Sequence, residues 1–529
     1  MFAQLIRVSI SLLIIYFSAP NNLSAQWLDQ RPAAQLTESS EYLETVQRAT
    51  FRYFWDFGHP VSGLSPERTA TPNIVTSGGT GFGVSCIVVA VHRGWISRQE
   101  AVTRLLKITR FLEKADRFHG AWSHWLDGKT GKVVPFGTHD NGGDLVETAY
   151  LINGLLVARA YFDQNTPVEK ELRARITRLY ETVEWTWYVR NGKLHWHWSP
   201  NYEWKMNMPI QGYNECLVTY ALACGSPTYP VPTEVYENTW KQSYFFQNGK
   251  TFYGYRLDLG FDKGGPLFFS HYSYLSLDPR LMQDRHTNYW QQNVAHTLVN
   301  YEHCLQAPKE YGYSEENWGL TASDDFNFYA AHNPNEDNGT ISPTAALSAF
   351  AYTPYQSWRA LRYWYLKQGN RLFGQYGFYD AYNARLNWYS NQYLAIDQGP
   401  IVLMMENYRS GLIWNLGKKI PELWRGLAKM GITPPQYESG FPFYVPHPNG
   451  NPWPLLRHPD YAHYHVEFTT LGQEPVTLKL ENAKNQQILV AQKNLADGIH
   501  QVFFQAEGGE YELVLQQGTT IKKQRVRLH

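Results

Sequence analysis

Two consecutive helices are predicted by Val84-Ser-Cys-Ile-Val-Val-Ala-Val-His92, Gly94 and Ser97-Arg-Gln-Glu100-Ala-Val-Thr-Arg-Leu-Leu-Lys-Ile-Thr-Arg-Phe-Leu112. Gly94 is suited to close the first helix, because glycine readily adopts the left-handed conformation that ends many helices. Ser97 and Glu100 form a capping box, which satisfies free backbone amides where a helix begins. The apolar residues of the second helix fall on one stripe, namely Val102, Leu105, Leu106 and Leu112.

The helical pattern extends from about Ser39 to about Gly431, and the composition changes after Pro434. A further helix has one apolar face, at Leu172, Ile176, Leu179 and Val183. Long loops such as 333–342 separate the helices, and loops of that length commonly carry function. Beyond the proline-rich segment Pro442–Pro459, apolar and polar residues alternate, with turns at Asp497-Gly498 and Gly508-Gly509. The fold class is therefore mainly α, with a small C-terminal β-sandwich domain.

The composition favours a neutral, carbohydrate-like ligand. The chain has 529 residues, with 47 Lys+Arg balanced by 47 Asp+Glu, so it has no basic footprint for nucleic acid or an anionic membrane. Aromatic residues reach 16%, including 19 Trp and 37 Tyr, and such rings stack on sugars. Four scattered cysteines lack zinc-binding or disulfide-framework spacing. We expect buried free thiols, with a Cys216–Cys224 bridge as the alternative.

The first 25 residues are typical of a signal peptide. Arg7 is followed by the apolar run Ile10–Phe17, and Leu23-Ser-Ala25 ends in small residues before Gln26. The apolar run is shorter than the roughly 20 residues that a transmembrane helix requires. We therefore expect an exported protein of a Gram-negative bacterium that is periplasmic, outer-membrane-associated or extracellular, without a membrane span.

Three acidic side chains are closely spaced in Asp140-Asn-Gly-Gly-Asp144-Leu-Val-Glu147. On a helix this spacing would place them within about 60° of one another. Crowded carboxylates resist ionisation, so such a group can hold a proton near neutral pH, as acid–base hydrolysis requires. The glycine pair instead favours a loop, which would make Asp144 the N-cap of a helix and Glu147 its capping partner. The two interpretations are compatible at the mouth of a cleft.

Two further acids lie in separate motifs. Glu215, in Gly212-Tyr-Asn-Glu-Cys216, has apolar and aromatic neighbours that would raise its pKa by desolvation, as suits a general acid. The alternative is a structural glutamate satisfied by backbone amides. Asp397, in Ala395-Ile-Asp-Gln-Gly-Pro400, enters an apolar helix and is either an N-cap or a possible base.

Polar and aromatic residues near these motifs are candidates for substrate binding. They are Trp196, Trp198, Trp204, Tyr213, Asn214, His271, Tyr272 and Trp318. Each ring taken singly is also compatible with a place in the core. His195 and His197 alternate as metal ligands on a strand would, but nothing marks a third ligand. We predict neither a metal nor a cofactor.

Six ordered segments resemble the glucoamylase-like proteins of glycoside hydrolase family 144. They are Thr80-Gly-Phe-Gly83 with Arg93-Gly-Trp-Ile-Ser97, Asp144-Leu-Val-Glu-Thr-Ala149 with Gly154-Leu-Leu, Gly212-Tyr-Asn-Glu-Cys216, Gly265-Pro-Leu-Phe-Phe with His271-Tyr272, Trp318-Gly-Leu-Thr-Ala322 and Gly339-Thr-Ile-Ser-Pro343-Thr. The resemblance implies an (α/α)6 toroid, or six-hairpin barrel, in a secreted enzyme that cleaves β-1,2-glucan or its oligosaccharides with inversion. It also implies that the family needs Asp140, Asp144, Glu147 and Glu215 for activity.

From these observations we expect a signal peptide at 1–25, a catalytic domain at 26–440, and a linker with a β-sandwich accessory or sorting domain at 441–529. The expected partner of this monomer is a neutral polysaccharide or oligosaccharide, not nucleic acid. In the expected mechanism Glu215 is the general acid, and one of Asp140, Asp144 and Glu147 is the base. The alternatives are a polysaccharide lyase that uses His271 and Tyr272, and a glycan-binding protein without turnover.

Overall fold

The computed structural model describes residues 27–28, 33–436, 439–440, 456–458, 463–472, 474–484, 486–492, 495 and 498–528. The predicted signal peptide, most of the Pro442–Pro459 segment and Asp497 of one predicted turn lie outside these residues.

Within the described residues, α-helices dominate the chain up to Lys429. They are Ala33–Asp56, Ser77–His92, Arg98–Leu112, Leu145–Tyr161, Pro167–Glu181, Leu217–Gly225, Thr233–Thr239, Tyr289–Gln306, Pro343–Leu347, Pro354–Tyr363, Ala395–Arg409, Leu412–Gly417 and Pro421–Lys429. The predicted capping box of Ser97 and Glu100 is present. The preceding helix begins at Ser77, seven residues before the predicted start at Val84, because buried packing overrides the low helix propensity of its glycines. The helix 167–181 ends before Val183, which is buried just beyond it.

Glycines bring neighbouring helices into backbone contact. A Cβ on Gly154 would lie 1.9 Å from the carbonyl oxygen of Gly81, so Leu145–Tyr161 packs directly on Ser77–His92. In the same way, a Cβ on Gly426 would lie 1.8 Å from the carbonyl oxygen of Ala221. Larger side chains would separate these helix pairs.

Short β-pairings decorate the helical part and position several loops. They are Ile74–Thr76 with Trp125–Asp127 and Val133–Val134, Gly143–Asp144 with His197–Trp198, Val189–Arg190 with Lys193–Leu194, Gln247–Phe252 with Tyr255–Leu259, Ala322–Asp325 with Phe328–Ala331, Thr340–Ile341 with Tyr382–Asn383 and Trp388–Tyr389, and Phe373–Gly374 with Gly377–Phe378.

Two four-stranded sheets contain the C-terminal strands. One has the order Trp27–Leu28, Gly498–Gln505, His463–Thr470, Leu456–His458, and the other Gln486–Gln492, Val476–Glu481, Gly509–Gln517, Thr520–Leu528. Both contribute to one hydrophobic cluster, which includes Val466, Phe504, Leu478 and Leu513. Alternate residues of Val476–Glu481 are buried, as the sequence pattern predicts.

Two further observations bear on the expectations from sequence. In the described part of the chain, no helix has the length and apolarity needed to cross a membrane. All four cysteines, Cys86, Cys216, Cys224 and Cys304, are free and buried, so Cys216 and Cys224 do not form a bridge in this structure.

Candidate active site

The helix after the first acidic motif begins at Leu145, and Asp144 is its N-cap. Asp144 Oδ1 accepts hydrogen bonds from the backbone N–H groups of Val146 and Glu147, at 3.0 and 2.9 Å. The N-cap interpretation of Asp144 is therefore confirmed, but Glu147 is not its capping partner, because the Glu147 carboxylate accepts from Gly78 and Thr76 instead. The helical-wheel interpretation is wrong for Asp140, which lies in a turn before the helix.

Asp140 is buried beside a histidine from the neighbouring strand. Gly143–Asp144 pairs with His197–Trp198, which places Nε2 of His197 3.1 Å from Asp140 Oδ1. The same Nε2 accepts the N–H of Gly142 at 3.3 Å, and Asp140 Oδ1 has no hydrogen-bond partner among the described residues. Asp140 is held close to the other acids without being neutralised by a donor.

Glu147 is docked on the start of the Ser77–His92 helix. Its Oε2 accepts the N–H of Gly78 at 2.8 Å and the hydroxyl of Thr76 at 3.3 Å. A Cβ at Gly78 would lie only 2.5 Å from this oxygen, so the glycine permits the contact. Burial and the nearby Asp144 raise the pKa of Glu147, while His124 and the Gly78 amide act in the opposite direction.

Glu215 has a buried carboxyl oxygen without a hydrogen-bond partner among the described residues. Burial raises the pKa of Glu215 to about 7; its own amide and the Cys216 thiol oppose the shift, and Glu147 adds to it. The backbone is fixed, since its carbonyl accepts hydrogen bonds from the hydroxyls of Tyr150, at 3.2 Å, and Ser273. A rigid backbone thus presents a carboxyl group that is half protonated near neutral pH.

His124 is a functional candidate that the sequence did not reveal. Its Nδ1 lies 3.2 Å from Asp144 Oδ2, and the side chain is 25% exposed. Burial opposes the charge, but Glu147, Asp144 and Asp140 outweigh it and raise the pKa of His124 to about 9. We call Asp140, Asp144, Glu147 and Glu215 with His124 the first acid cluster. A lone histidine in a loop has no sequence signature, and only the aromatic neighbours Trp122 and Trp125 could have drawn attention to it.

A second acid cluster consists of Asp324, Asp380 and Asp397 with Arg68. Asp397 lies in the first turn of Ala395–Arg409, whose N-cap is Leu394, so the N-cap interpretation of Asp397 is wrong. Its carboxyl interacts directly with that of Asp380, and both pKa values are raised, first by burial and then by neighbouring carboxylates. Beyond this contact, Asp397 Oδ2 and Asp380 Oδ1 have no hydrogen-bond partner among the described residues.

Arg68 is the counter-charge of the second acid cluster. Asp324 Oδ1 lies 2.8 Å from Arg68, and its Oδ2 accepts the Ser390 hydroxyl at 2.7 Å. The backbone N–H of Asp324 donates to Asp380 Oδ2 at 2.6 Å, which links the ion pair to the Asp380–Asp397 pair. Arg68, Asp324 and Asp380 were not predicted from the sequence, although Asp324 lies two residues after the Trp318–Ala322 motif.

Tyr272 lies within electrostatic reach of both acid clusters. Burial raises its pKa, and so do the charges of Asp397, Glu215 and Glu147. Its predicted partner His271 is buried, and burial lowers the pKa of this imidazole to about 3. Tyr272 is therefore near residues of both clusters, whereas His271 is a neutral core residue.

The other predicted binding residues have different environments. Trp196, Trp198 and Trp204 are partly buried against the main core. Tyr213 and Trp318 are almost completely buried, with no ring face open to a sugar. Asn214 is a local support, since its side-chain oxygen accepts the N–H of Cys216 at 3.0 Å.

Two exposed rings near the clusters were not predicted. Phe136 is 50% exposed and stacks on His124, with ring centroids 4.1 Å apart. Tyr329 is 41% exposed, and Asp397 and Asp380 lie within electrostatic reach of it. Each cluster therefore has a partly exposed aromatic side chain near it.

Comparisons with known proteins identify the family of the chain. Residues 207–421 match the Glycoamylase family, described as "Putative glucoamylase". Over 415 residues the chain is 45% identical to the exo-β-1,2-glucooligosaccharide sophorohydrolase (non-reducing end) of Parabacteroides distasonis. The aligned part is 74% of this chain, and the chain spans 58% of the length of that curated relative.

Solved structures give the same picture. The endo-β-1,2-glucanase of Chitinophaga pinensis, in complex with sophorotriose and glucose, is 52% identical with a TM-score of 0.73, covering 75% of this chain and 98% of that one. A β-1,2-glucanase from Parabacteroides distasonis is 44% identical with a TM-score of 0.73, covering 74% of this chain and 60% of that one.

Proposed function

Because the chain belongs to the glucoamylase-like family, glycoside hydrolase family 144, we propose that it hydrolyses β-1,2-glucan or β-1,2-glucooligosaccharides. The names of its relatives, a sophorohydrolase and endo-β-1,2-glucanases, support this substrate class. We also propose the (α/α)6 toroid for the helical part, which the glycine-mediated packing of helix pairs supports. Export, as proposed from the N-terminal sequence, fits an enzyme that acts on an external polysaccharide.

The observation that carries the proposal is the buried, unpartnered carboxyl oxygen of Glu215, together with its pKa of about 7. A general acid must hold a proton at the working pH and release it in the transition state, and a pKa near neutrality meets both needs. In the proposed reaction Glu215 protonates the glycosidic oxygen as the bond to the leaving sugar breaks.

Asp397 is the base that we favour, and Glu147 is the alternative. Asp144 accepts the N-cap hydrogen bonds and contacts His124, and Glu147 accepts a hydrogen bond from the amide of Gly78. Asp397 instead has an unpartnered oxygen, and it interacts with Tyr272 as Glu215 does. Inversion needs roughly 6.5 to 9.5 Å between the acid and the base so that water can attack, and we propose that Glu215 and Asp397 have this separation.

The chemistry proposed for a lyase finds no support in these residues. A tyrosine that abstracts a proton must ionise, but burial and then the nearby carboxylates raise the pKa of Tyr272. His271 stacks on Tyr352, and burial keeps its imidazole neutral, with a pKa of about 3.

The decisive experiment is incubation of the protein with linear β-1,2-glucan, followed by measurement of new reducing ends and chromatography of the products. We expect hydrolysis with α-anomeric products, read by proton NMR before mutarotation. Glu215→Gln should lower kcat by about a hundred- to ten-thousand-fold. The matched control is Glu302→Gln, a half-buried glutamate of another helix whose pKa burial also raises.

Absence of hydrolysis by the wild type, or near-normal turnover by Glu215→Gln, would reject the proposal. An unsaturated product that absorbs in the ultraviolet would indicate a lyase instead.

A further inference from the structure

We propose that His124 is a positioning residue of the first acid cluster, whose imidazolium holds Asp144 and Glu147 in their docked arrangement. The kinetic consequence rests on the proposed hydrolase activity, whereas the electrostatic role rests on the contacts and charge of His124 and is independent of the substrate.

The amides of two consecutive residues, Ser77 and Gly78, bind His124 and Glu147 respectively. The N–H of Ser77 donates to the carbonyl oxygen of His124 at 3.1 Å, and the N–H of Gly78 donates to Glu147 Oε2 at 2.8 Å. The antiparallel pair Thr76 and Trp125 continues this contact as a short sheet. The segment 76–78 therefore contacts both His124 and Glu147 and fixes their relative positions.

The side chain of His124 completes the hydrogen bonding of Asp144. Oδ1 of Asp144 accepts two backbone N–H groups at the start of the helix, while Oδ2 lies 3.2 Å from His124 Nδ1. A protonated imidazole donates from both ring nitrogens, so it satisfies Asp144 and still carries a charge toward Glu147. Loss of the proton would remove the one cation that faces these acids among the described residues.

One other histidine lies at this cluster, since His197 accepts the Gly142 N–H at Nε2, which is 3.1 Å from Asp140 Oδ1. From the helix Leu145–Tyr161 His124 faces Glu147 and the cap Asp144, and from the preceding turn it faces Asp140. The aromatic rings of Trp125 and Phe136 cover its remaining sides. These acids explain why the pKa of His124 is raised despite its burial.

The sign of the effect on stability follows from linkage. A histidine whose pKa is higher in the folded state contributes stability that is fully present below its unfolded pKa, about 6.5. That contribution is lost as the pH rises through the folded value of about 9. A His124→Asn variant should therefore have a lower denaturant midpoint than the wild type at pH 6, and the difference should shrink between pH 7 and 9.5.

The titration itself is the first test. In the full-length protein, labelled with carbon-13 at histidine Cε1, the signal that disappears in His124→Asn should titrate near pH 9. In Glu147→Gln the same signal should titrate at lower pH, because the largest attractive charge is gone. A His124 signal that titrates at 6.5 or below, or one unaffected by Glu147→Gln, would overturn the proposal.

The second test is kinetic. With β-1,2-glucan as substrate, His124→Asn should lower kcat about ten-fold or more with a smaller change in KM, since a slight displacement of a docked group is costly. His124→Lys, which retains a cation, should recover part of the loss. The matched control is His119→Asn, which removes another histidine paired with a carboxylate, Glu184, at 2.9 Å.

The two tests separate failure of this proposal from failure of the proposed function. If the wild type hydrolyses β-1,2-glucan but His124→Asn is as active as His119→Asn, the positioning role is wrong and the function stands. If the wild type is inactive on this substrate, the proposed function fails, and the titration and stability curves still decide the electrostatic role.

Discussion

The two acid clusters bury similar groups but differ in the cation that balances them. The first is balanced by His124, which can lose its proton, and the second by Arg68, which cannot at any pH that the fold tolerates. The charge of the first cluster therefore follows the pH of the solution. In the second cluster, the variable proton belongs to the Asp380–Asp397 pair. The proposed acid, Glu215, and the proposed base, Asp397, therefore lie in clusters whose charges change with pH through different side chains.

The largest expected effect concerns the base of the second cluster. Asp397→Asn should lower kcat about a hundred- to ten-thousand-fold, because asparagine cannot accept a proton from water. The comparison variant is Glu147→Gln, the alternative base in the first cluster, with circular dichroism melting to verify that both fold. Asp397→Asn with turnover within a few-fold of the wild type would move the base assignment to the first cluster.

Removal of the permanent cation is expected to affect stability next most strongly. Arg68→Met leaves the buried Asp324 without its partner and should lower the free energy of unfolding by roughly 3 kcal/mol in urea titrations. The loss should be at least as large at pH 9 as at pH 6, because Arg68 also favours the ionised form of Asp380; the loss for His124→Asn should instead shrink as the pH rises. Arg52→Met is the control, since its exposed pair with Asp56 should contribute less than about 1 kcal/mol. A loss for Arg68→Met that vanishes at high pH would erase the distinction between the clusters.

A methyl group at Gly78 should disturb the first cluster while leaving the second intact. Gly78→Ala places a Cβ 2.5 Å from Glu147 Oε2, so the carboxylate must move. We expect a ten- to hundred-fold lower kcat/KM, in line with the cost of small displacements at reacting groups. Gly137→Ala is the control, because its Cβ would be 4.0 Å from the nearest atom, in Asp140. Equal activity of the two variants would show that the docking of Glu147 does not matter.

The pH profile should report the coupling within the first cluster. Activity should fall as pH rises through about 7, where Glu215 loses the proton that it must donate. In Glu147→Gln a negative neighbour is removed, which lowers the pKa of Glu215, so the fall should begin at lower pH. The shift should be modest, because burial is the larger cause of the raised pKa. A profile that moves to higher pH would contradict the assignment of Glu215 as acid.

The smallest expected effects concern Phe136 and Tyr329, the partly exposed rings near the two clusters. Phe136→Ala and Tyr329→Ala each remove a surface on which a sugar can stack, worth about 0.5 to 1.5 kcal/mol. Each should raise KM about two- to ten-fold with little change in kcat. Tyr244→Ala, a strongly exposed ring beside a different surface pocket, should change neither constant. A fall in kcat for Phe136→Ala alone would instead indicate that its stacking on His124 supports the first cluster.

The sequence predicted those features whose signal is local. The capping box at Ser97, the N-cap at Asp144 and the alternating strand at Val476–Glu481 each depend on a few adjacent residues, and all three are confirmed. The glycine-rich start of the Ser77–His92 helix was missed, because its stability comes from contact with another helix, not from its own propensity.

The site was predicted unevenly for the same reason. Local crowding identified Asp140, Asp144 and Glu147, and apolar neighbours identified Glu215. The second cluster contains Arg68, Asp324, Asp380 and Asp397. More than three hundred positions separate the first of these from the last. No spacing rule links such residues, and only folding brings them together. Trp318 was predicted to bind substrate, but its side chain is completely buried in the core.

The four buried thiols can report local unfolding of the protein. A thiol reagent can modify Cys86, Cys216, Cys224 or Cys304 only when the surrounding structure separates, so the rate of modification measures how often that happens. Cys216 adjoins Glu215, whereas Cys304 lies in the helix Tyr289–Gln306. A ligand that contacts Glu215 should therefore slow the labelling of Cys216 more than that of Cys304. This measurement needs no engineered cysteine.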